Sequence, residues 1–431
     1  MRGKKKKVLI YPAGSEGAIN IYNALKYNFH FELFGASMVS NHASFIFDDD
    51  HYFEGDLKTT SLHFFDTLNE VIKKFEIDFI ICTHDEVVTF LMENRDKVNA
   101  TICSSPVETV QIACSKKLTS DTFYGKYYMA KIYNSNDNIN YPVFLKPYIG
   151  AGGKGTKKID TKEELEYFLK DKKDYLICEF LPGDEYTVDC FTDRLGNLLF
   201  CGARTRERVT CGISYRTQRI KDKKIDEIAK DINKTLKFRG AWFFQLKKDI
   251  NEEYKLMEIC VRQAGTMVYY RELGFNFPAL TLFDFMEQEV KPIINDYDLI
   301  LDRCLHNAFK LKYDYQNVYI DFDDTIIVED KVNPKAMQYL YQCKNLNRNI
   351  YLLSKHSTDI YEDLEKYSIN KNLFNEIYVI ENNSNKIDYI NPNKSIFIDN
   401  YFIERYEVNQ KLGIPVFDVD AIECLIDDSK I

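Results

Sequence analysis

Lys146-Pro-Tyr-Ile-Gly150-Ala-Gly152-Gly153-Lys154-Gly155 is the stretch on which the reading of this chain turns. No G-K-[ST] closes it, so it is not a P-loop. Gly150, Gly152 and Gly155 satisfy G-x-G-x-x-G, but that dinucleotide fingerprint needs its third glycine to open a helix that faces the pyrophosphate. Here the extended-looking TKKID follows. A helix is expected only from Asp160 or Thr161, where Asp160 and Glu163 resemble a capping box. A flexible connection between two strands fits better, with backbone N–H groups free to cover phosphates. Lys146, ending the apolar PVFLKP (142–147), adds a positive charge beside them. Taken alone, the loop reads equally well as an ordinary glycine hairpin.

Downstream lie a helix, TKEELEYFLK, and strand candidates YLICEFL, YTVDCF, LLFCGAR, AWFFQLKKD and YKLMEIC, an α+β texture. CEFLPGDEYTVD sets Glu179 and Glu185 on either side of a short turn. A later strand carries Gln245, and the next carries Glu258-Ile-Cys-Val-Arg262. Upstream, short strands alternate with helical patterns. KVLIY (7–11) leads into a run with Ile19, Tyr22 and Leu25 at helical spacing, and HFELFGAS precedes DFIICTH (78–84), which feeds EVVTFLMENRD. That alternation predicts a parallel, doubly wound α/β unit.

The loop, the acidic turn and the two strands with Gln245 and Glu258 together resemble the ATP-grasp superfamily over most of residues 1–300. The resemblance implies a Rossmann-like pre-ATP-grasp domain at 1–112 and an ATP-grasp nucleotide-binding domain at 113–300. It implies ATP phosphates held by Lys116 and Lys146, under a loop that contributes Gly152, Gly153 and Lys154. Glu179 to Leu181 would read adenine through backbone groups, and Glu185 would hold the ribose. Gln245 and Glu258 match the magnesium ligands, and Arg262 an oxyanion or phosphoryl stabiliser. Residue 260 is Cys where the family has Asn. A hard cation prefers oxygen, which puts a second Mg²⁺ in question and leaves Glu258 as the principal anionic ligand.

Neighbouring features stay open between two roles. Gly14 and Gly17 precede a helix and serve either an anion or a tight strand–helix turn. His84 follows a strand end, but Thr83-x-x-Glu86 reads as a capping box, so helix initiation is the stronger reading. Arg204, Arg206 and Arg208 suit phosphates, an anionic acceptor or a solvated charged loop.

The C-terminal stretch returns to βα alternation, and its apolar runs end in functional groups. VYI precedes Asp321-Phe-Asp323-Asp324-Thr325, IYLL precedes Ser354, and SIFI precedes Asp399-Asn400. Parallel sheets bind ligands beyond the carboxyl ends of their strands. Three converging carboxylates repel unless a cation neutralises them, and an all-oxygen set favours Mg²⁺. Residues 313–431 thereby resemble the haloacid dehalogenase (HAD) phosphohydrolases. The resemblance implies a nucleophile at Asp321, a general acid/base at Asp323, phosphate contacts at Thr325, Ser354 and Lys386, and metal ligands Asp321, Asp323 and Asp399. Lys394 is the alternative to Lys386, and Glu404 a further metal candidate. The short stretch from Thr325 to Ser354 leaves no room for a large cap.

The expected architecture is therefore α/β and α+β multidomain. Composition excludes other classes: a net charge of −9 argues against a general nucleic-acid field, and no apolar run approaches a membrane span. Eleven cysteines without a C-x-x-C pair indicate neither zinc nor a disulfide framework, which reads as a cytoplasmic protein. The combined resemblance implies a bifunctional enzyme. MgATP would activate a small-molecule carboxylate as an acyl phosphate for attack by an amine, releasing ADP and phosphate. The HAD part would dephosphorylate a metabolite of the same pathway, as in bacterial surface-polysaccharide or small-metabolite clusters. The alternatives are an ATP-grasp kinase or carbamoyl-phosphate-synthase-like activator, and a nucleotide-binding scaffold.

Overall fold

The computed structural model describes residues 4–134, 137–150, 152–170, 172–210, 212–304 and 307–430. The chain divides into two compact units, Met1–Ala43 with Asp49–Leu305, and Ser44–Asp48 with His306–Ile431. Among the described residues no helix is long and apolar enough to cross a membrane.

The first unit opens with a five-stranded parallel sheet. The Lys6–Tyr11 strand lies between Phe31–Ser37 and Phe79–Cys82, with Tyr52–Glu54 and Thr101–Ile102 at the edges. Its helices are placed by apolar spacing. In Phe64–Phe75 the buried residues Phe64, Leu68, Val71, Ile72 and Phe75 form one stripe, and Glu76 ends the helix in the left-handed region. The Glu16–Leu25 helix buries Ala18, Ile21, Tyr22 and Leu25, so the core-facing stripe runs beside Ile19 rather than through it. Ser15 caps that helix by accepting from the Ala18 N–H.

Two antiparallel sheets follow. Four strands are ordered Ile132–Tyr133, Tyr175–Glu179, Val143–Pro147, Lys157–Ile159. The larger sheet runs Glu207–Thr210, Ile213–Ile220, Leu198–Thr205, Glu185–Thr192, Gly240–Lys248, Tyr254–Cys260. The short Ile300–Asp302 strand adds to Ile213–Ile220. Inside, the chain's one tryptophan, Trp242, stacks on Phe238 at 3.8 Å and donates its indole N–H to Thr192. The helix after the glycine loop is Lys162–Leu169. Its cap is Thr161, which accepts from the Glu164 N–H, while the Glu164 carboxylate accepts from the Asp160 N–H. The capping box is thus one residue later than Asp160/Glu163.

The second unit is a five-stranded parallel sheet ordered Glu376–Val379, Asn349–Ser354, Asn317–Ile320, Ser395–Ile398, Val416–Phe417. Its three central strands are apolar because the sheet is covered on both faces. Asn317–Ile320 and Ser395–Ile398 pair in register, so Asp321 and Asp399 leave the sheet at the same level.

Candidate functional site

In the first unit, Lys146 lies on the face of Val143–Pro147 opposite the fully buried Val143 and Leu145. It is itself only 5% exposed, and its Nζ donates to the Met257 carbonyl at 3.2 Å. That carbonyl stands out because of a β-bulge. Gln245 pairs with Glu258 but Leu246 with Leu256, leaving Met257 as the extra residue. The bulge re-aims the strand, so Leu256 stays in the core while Met257 and Glu258 both face a cavity. Lys116 Nζ donates to the Gly150 carbonyl at 2.5 Å and stands 3.9 Å from Glu258.

Further lining residues come from other strands of the larger sheet. Arg206 donates to Glu185 at 3.3 Å, to the Thr187 hydroxyl at 3.4 Å and to the Gly212 carbonyl at 2.9 Å. Lys247 also donates to Glu185, at 3.0 Å. Burial pushes the Glu185 carboxyl up, but its ion pairs with Lys247 and Arg206 outweigh that and hold it below its usual range. The cavity encloses about 250 Å³ and is lined by Lys116, Lys146, Gly152, Gly153, Lys154, Glu185, Arg206, Gln245 and Glu258, among others. Cations and acids thus share one space, with glycine backbone beside them.

The lip is closed by glycine against glycine. Gly212 has φ +76°, and a Cβ there would lie 2.9 Å from Gly152 Cα. Gly212→Val therefore meets both left-handed strain and a backbone clash, about 1–2 kcal/mol for the first alone. It is expected to raise the half-saturating MgATP concentration about tenfold or more, measured by nucleotide titration of the full chain.

Other expected residues lie elsewhere. The side chains of Glu179 and Leu181 do not line this cavity. The Glu179 carboxylate accepts from the Lys131 N–H at 2.7 Å, and Leu181 is buried. Arg262 makes a two-pronged pair with Asp85, at 2.9 and 2.7 Å. Burial works against its charge, but Asp85 outweighs this and holds the guanidinium above its ordinary value. Cys260 is buried in an apolar cluster with Phe191, Phe243 and Met267, and burial pushes its thiol well up, so it stays a neutral thiol. Thr83 does not cap the following helix: its hydroxyl donates to the Pro12 carbonyl, and His84 occupies the cap position of Asp85–Glu93 without a side-chain bond. Burial and Arg262 push the His84 imidazole down.

The three neighbouring arginines part company. Arg206 lines the cavity, Arg208 pairs with the exposed Asp302, and Arg204 pairs with Asp189 with neither side chain exposed. Arg204→Met strands a buried carboxylate. It is expected to cost about 3–5 kcal/mol, read from the urea midpoint of Trp242 fluorescence, with Asp189→Leu added on top recovering part of the loss.

In the second unit, Lys386 donates to Asp399 at 2.6 Å and stands 2.9 Å from Asp321, all three nearly inaccessible. Burial pushes the Asp321 carboxyl up against the pull of Lys386 and the Ser354 hydroxyl. Burial and Asp321 push Asp399 up to about 6. Lys386 is held above its ordinary value, the two carboxylates outweighing burial. The Thr325 hydroxyl accepts from the Asn400 N–H at 3.1 Å. Lys394 pairs with exposed Asp314, and Glu404 with Lys355. The three carboxylates do not meet as the sequence predicts: Asp321 and Asp399 share Lys386, and Asp323 turns to His356 at 2.8 Å. Among the described residues no three His, Cys, Asp or Glu side chains stand grouped to hold a metal ion.

Residues 171–300 match a family described as "ATP-grasp in the biosynthetic pathway with Ter operon". No curated protein matches. Among solved structures, a biotin carboxylase–β,γ-ATP complex from Campylobacter jejuni is 16% identical with TM-score 0.57, covering 67% of this chain and 72% of its own. N5-carboxyaminoimidazole synthetase from Staphylococcus aureus, complexed with ADP, is 14% identical with TM-score 0.54, covering 67% and 79%. An L-amino acid ligase from Bacillus licheniformis is 14% identical with TM-score 0.51, covering 65% and 74%. At such identities the likeness is one of fold. Residues 171–300 thus match an ATP-grasp family model, within a mixed α/β architecture whose fold is that of these structures.

Proposed function

We propose that this chain is an ADP-forming ATP-grasp ligase joining a carboxylate to an amine, with a phosphohydrolase in its C-terminal unit. The observation that carries the first half is the meeting of Lys116, Lys146, the glycine lip, Glu185, Gln245 and Glu258 around one cavity. Lys116 and Lys146 hold phosphate oxygens, Glu185 takes ribose hydroxyls, and the lip excludes water from the activated acyl group. Arg262, held by Asp85 beyond the residues that line this cavity, would meet charge developing on the acyl side. Gln245 and Glu258, opposite each other in register, give a hard-oxygen donor set that fits Mg²⁺, while the buried thiol of Cys260 adds none. A magnesium ion held there would supply charge neutralisation at the phosphates. The ADP and ATP of the structural relatives are consistent with this nucleotide.

For the second unit, the HAD-like reading makes Asp321 the nucleophile. Its carboxylate oxygen forms a bond to phosphorus as the ester P–O bond breaks. Asp323 gives a proton to the departing oxygen and then accepts one from the water that releases phosphate. Two buried carboxylates against one ammonium leave a negative charge that fits a divalent cation held by Asp321 and Asp399.

The substrates are then a small carboxylic acid, an amine and a phosphorylated metabolite of a biosynthetic pathway. A reducing cytoplasm suits the described cysteines, all of them unpaired. Gln245, an amide where an acid serves as well, favours the second reading, an ATP-grasp kinase or carbamoyl-phosphate-type activator. Product mass from MgATP with pooled acids and amines separates the two: a condensation product is expected, and a stable phosphorylated product would overturn ligation.

A further inference from the structure

The backbone around Asp323 is fixed, but its carboxylate is not fixed by that backbone. The Phe322 carbonyl accepts from the Ile326 and Ile327 N–H groups at 2.9 and 3.0 Å, and Asp324 turns the chain at φ +53°. The Asp323 side chain nevertheless remains 52% exposed, and an exposed carboxylate visits several rotamers. One contact selects among them. His356, two residues beyond Ser354, places Nδ1 2.8 Å from Asp323 Oδ2 and Nε2 2.8 Å from Asp363 Oδ2. Asp363 is anchored in turn by the Thr358 hydroxyl at 2.6 Å. The imidazole is 7% exposed and lies edge-on to Phe322 at 5.2 Å. It is too enclosed to meet a substrate itself, so what it can act on is Asp323.

We propose that His356 is a positioning residue: braced on Asp363 and Phe322, it holds the Asp323 carboxyl where a leaving-group oxygen can take its proton. This rests on the phosphohydrolase reading of the second unit. A general acid is worth most when the leaving oxygen is basic and little when it departs readily as an anion. Loss of its positioner should therefore depend on the leaving group, which general damage to the fold would not.

The test uses the full chain with Mg²⁺ and two aryl esters that differ in the basicity of the leaving oxygen, phenyl phosphate and 4-nitrophenyl phosphate. His356→Ala is expected to lower kcat about 30-fold on phenyl phosphate and threefold or less on 4-nitrophenyl phosphate, with KM within about twofold for both. His356→Asn, whose amide N–H can still donate to Asp323, should return phenyl phosphate turnover to within about threefold of wild type. Asp363→Asn, which weakens the brace without touching the imidazole, should show the same substrate preference in milder form. Equal losses on both esters, or no rescue by asparagine, would overturn the positioning role while leaving the phosphohydrolase reading intact. If the wild type hydrolyses neither ester and Asp321→Asn is indistinguishable from it, the phosphohydrolase reading falls and the role of His356 falls with it.

Discussion

Lys146→Met is expected to weaken MgATP binding by one to two orders of magnitude without unfolding the chain. Lys146 is buried, its ammonium donates to the Met257 carbonyl at 3.2 Å, and it lines the cavity. A contact of this kind to phosphate is worth about 1.5–3 kcal/mol, or roughly 10- to 150-fold in affinity. Methionine is the informative substitution because it keeps most of the volume; alanine would add a cavity cost unrelated to charge. Calorimetric titration of wild type and variant with MgATP checks it. An unchanged dissociation constant would remove Lys146 from the nucleotide site.

Asp321→Asn should show the larger effect, a loss of at least about 10³-fold in phosphate-ester hydrolysis, since an amide oxygen cannot replace the attacking carboxylate. The change also removes charge from a buried group of two carboxylates and one ammonium, leaving Lys386 paired with Asp399 alone. That exchange brings the cluster to charge balance, one ammonium against one carboxylate, so the fold is expected to survive and the loss to be chemical. Release of 4-nitrophenol measures it, and nucleotide affinity should not move. Retention of hydrolysis would exclude Asp321 as nucleophile.

Why the sequence reveals some of this and not the rest follows from where each signal resides. PVFLKP, NVYIDF and SIFIDN are apolar runs whose ends carry the candidate groups Lys146, Asp321 and Asp399, and all three form strands with those residues at or just beyond their ends, as YLICEFL forms a strand ending at Glu179, away from the cavity. The strands Glu207–Thr210 and Ile213–Ile220 are hidden because ERVT and ISYRTQRI are polar and carry arginines, and the first of them is an edge strand. They read as a charged loop, although Gly212, which meets the glycine lip, lies between them. The Met257 bulge exists only in the pairing of two strands, and no local pattern announces it. Asp85 opposite Arg262 and His356 opposite Asp323 join elements far apart or merely adjacent in the chain, and neither residue belongs to a local motif. Lys386 could be ranked above Lys394 from its distance to the final strand, but its place between Asp321 and Asp399 is a property of the fold.

The central claim is an acceptor-dependent, ADP-forming reaction at the Lys146–Glu258 cavity. Its most direct measurement is nucleotide chromatography of the Asp321→Asn chain, which keeps phosphatase activity out of the accounting, incubated with MgATP and pooled carboxylic acids and amines. ADP that appears only when acceptors are present, and disappears when Lys146→Met and Glu258→Ala are added, is the predicted result. Release of AMP instead, or ADP formation indifferent to both substitutions, would contradict it.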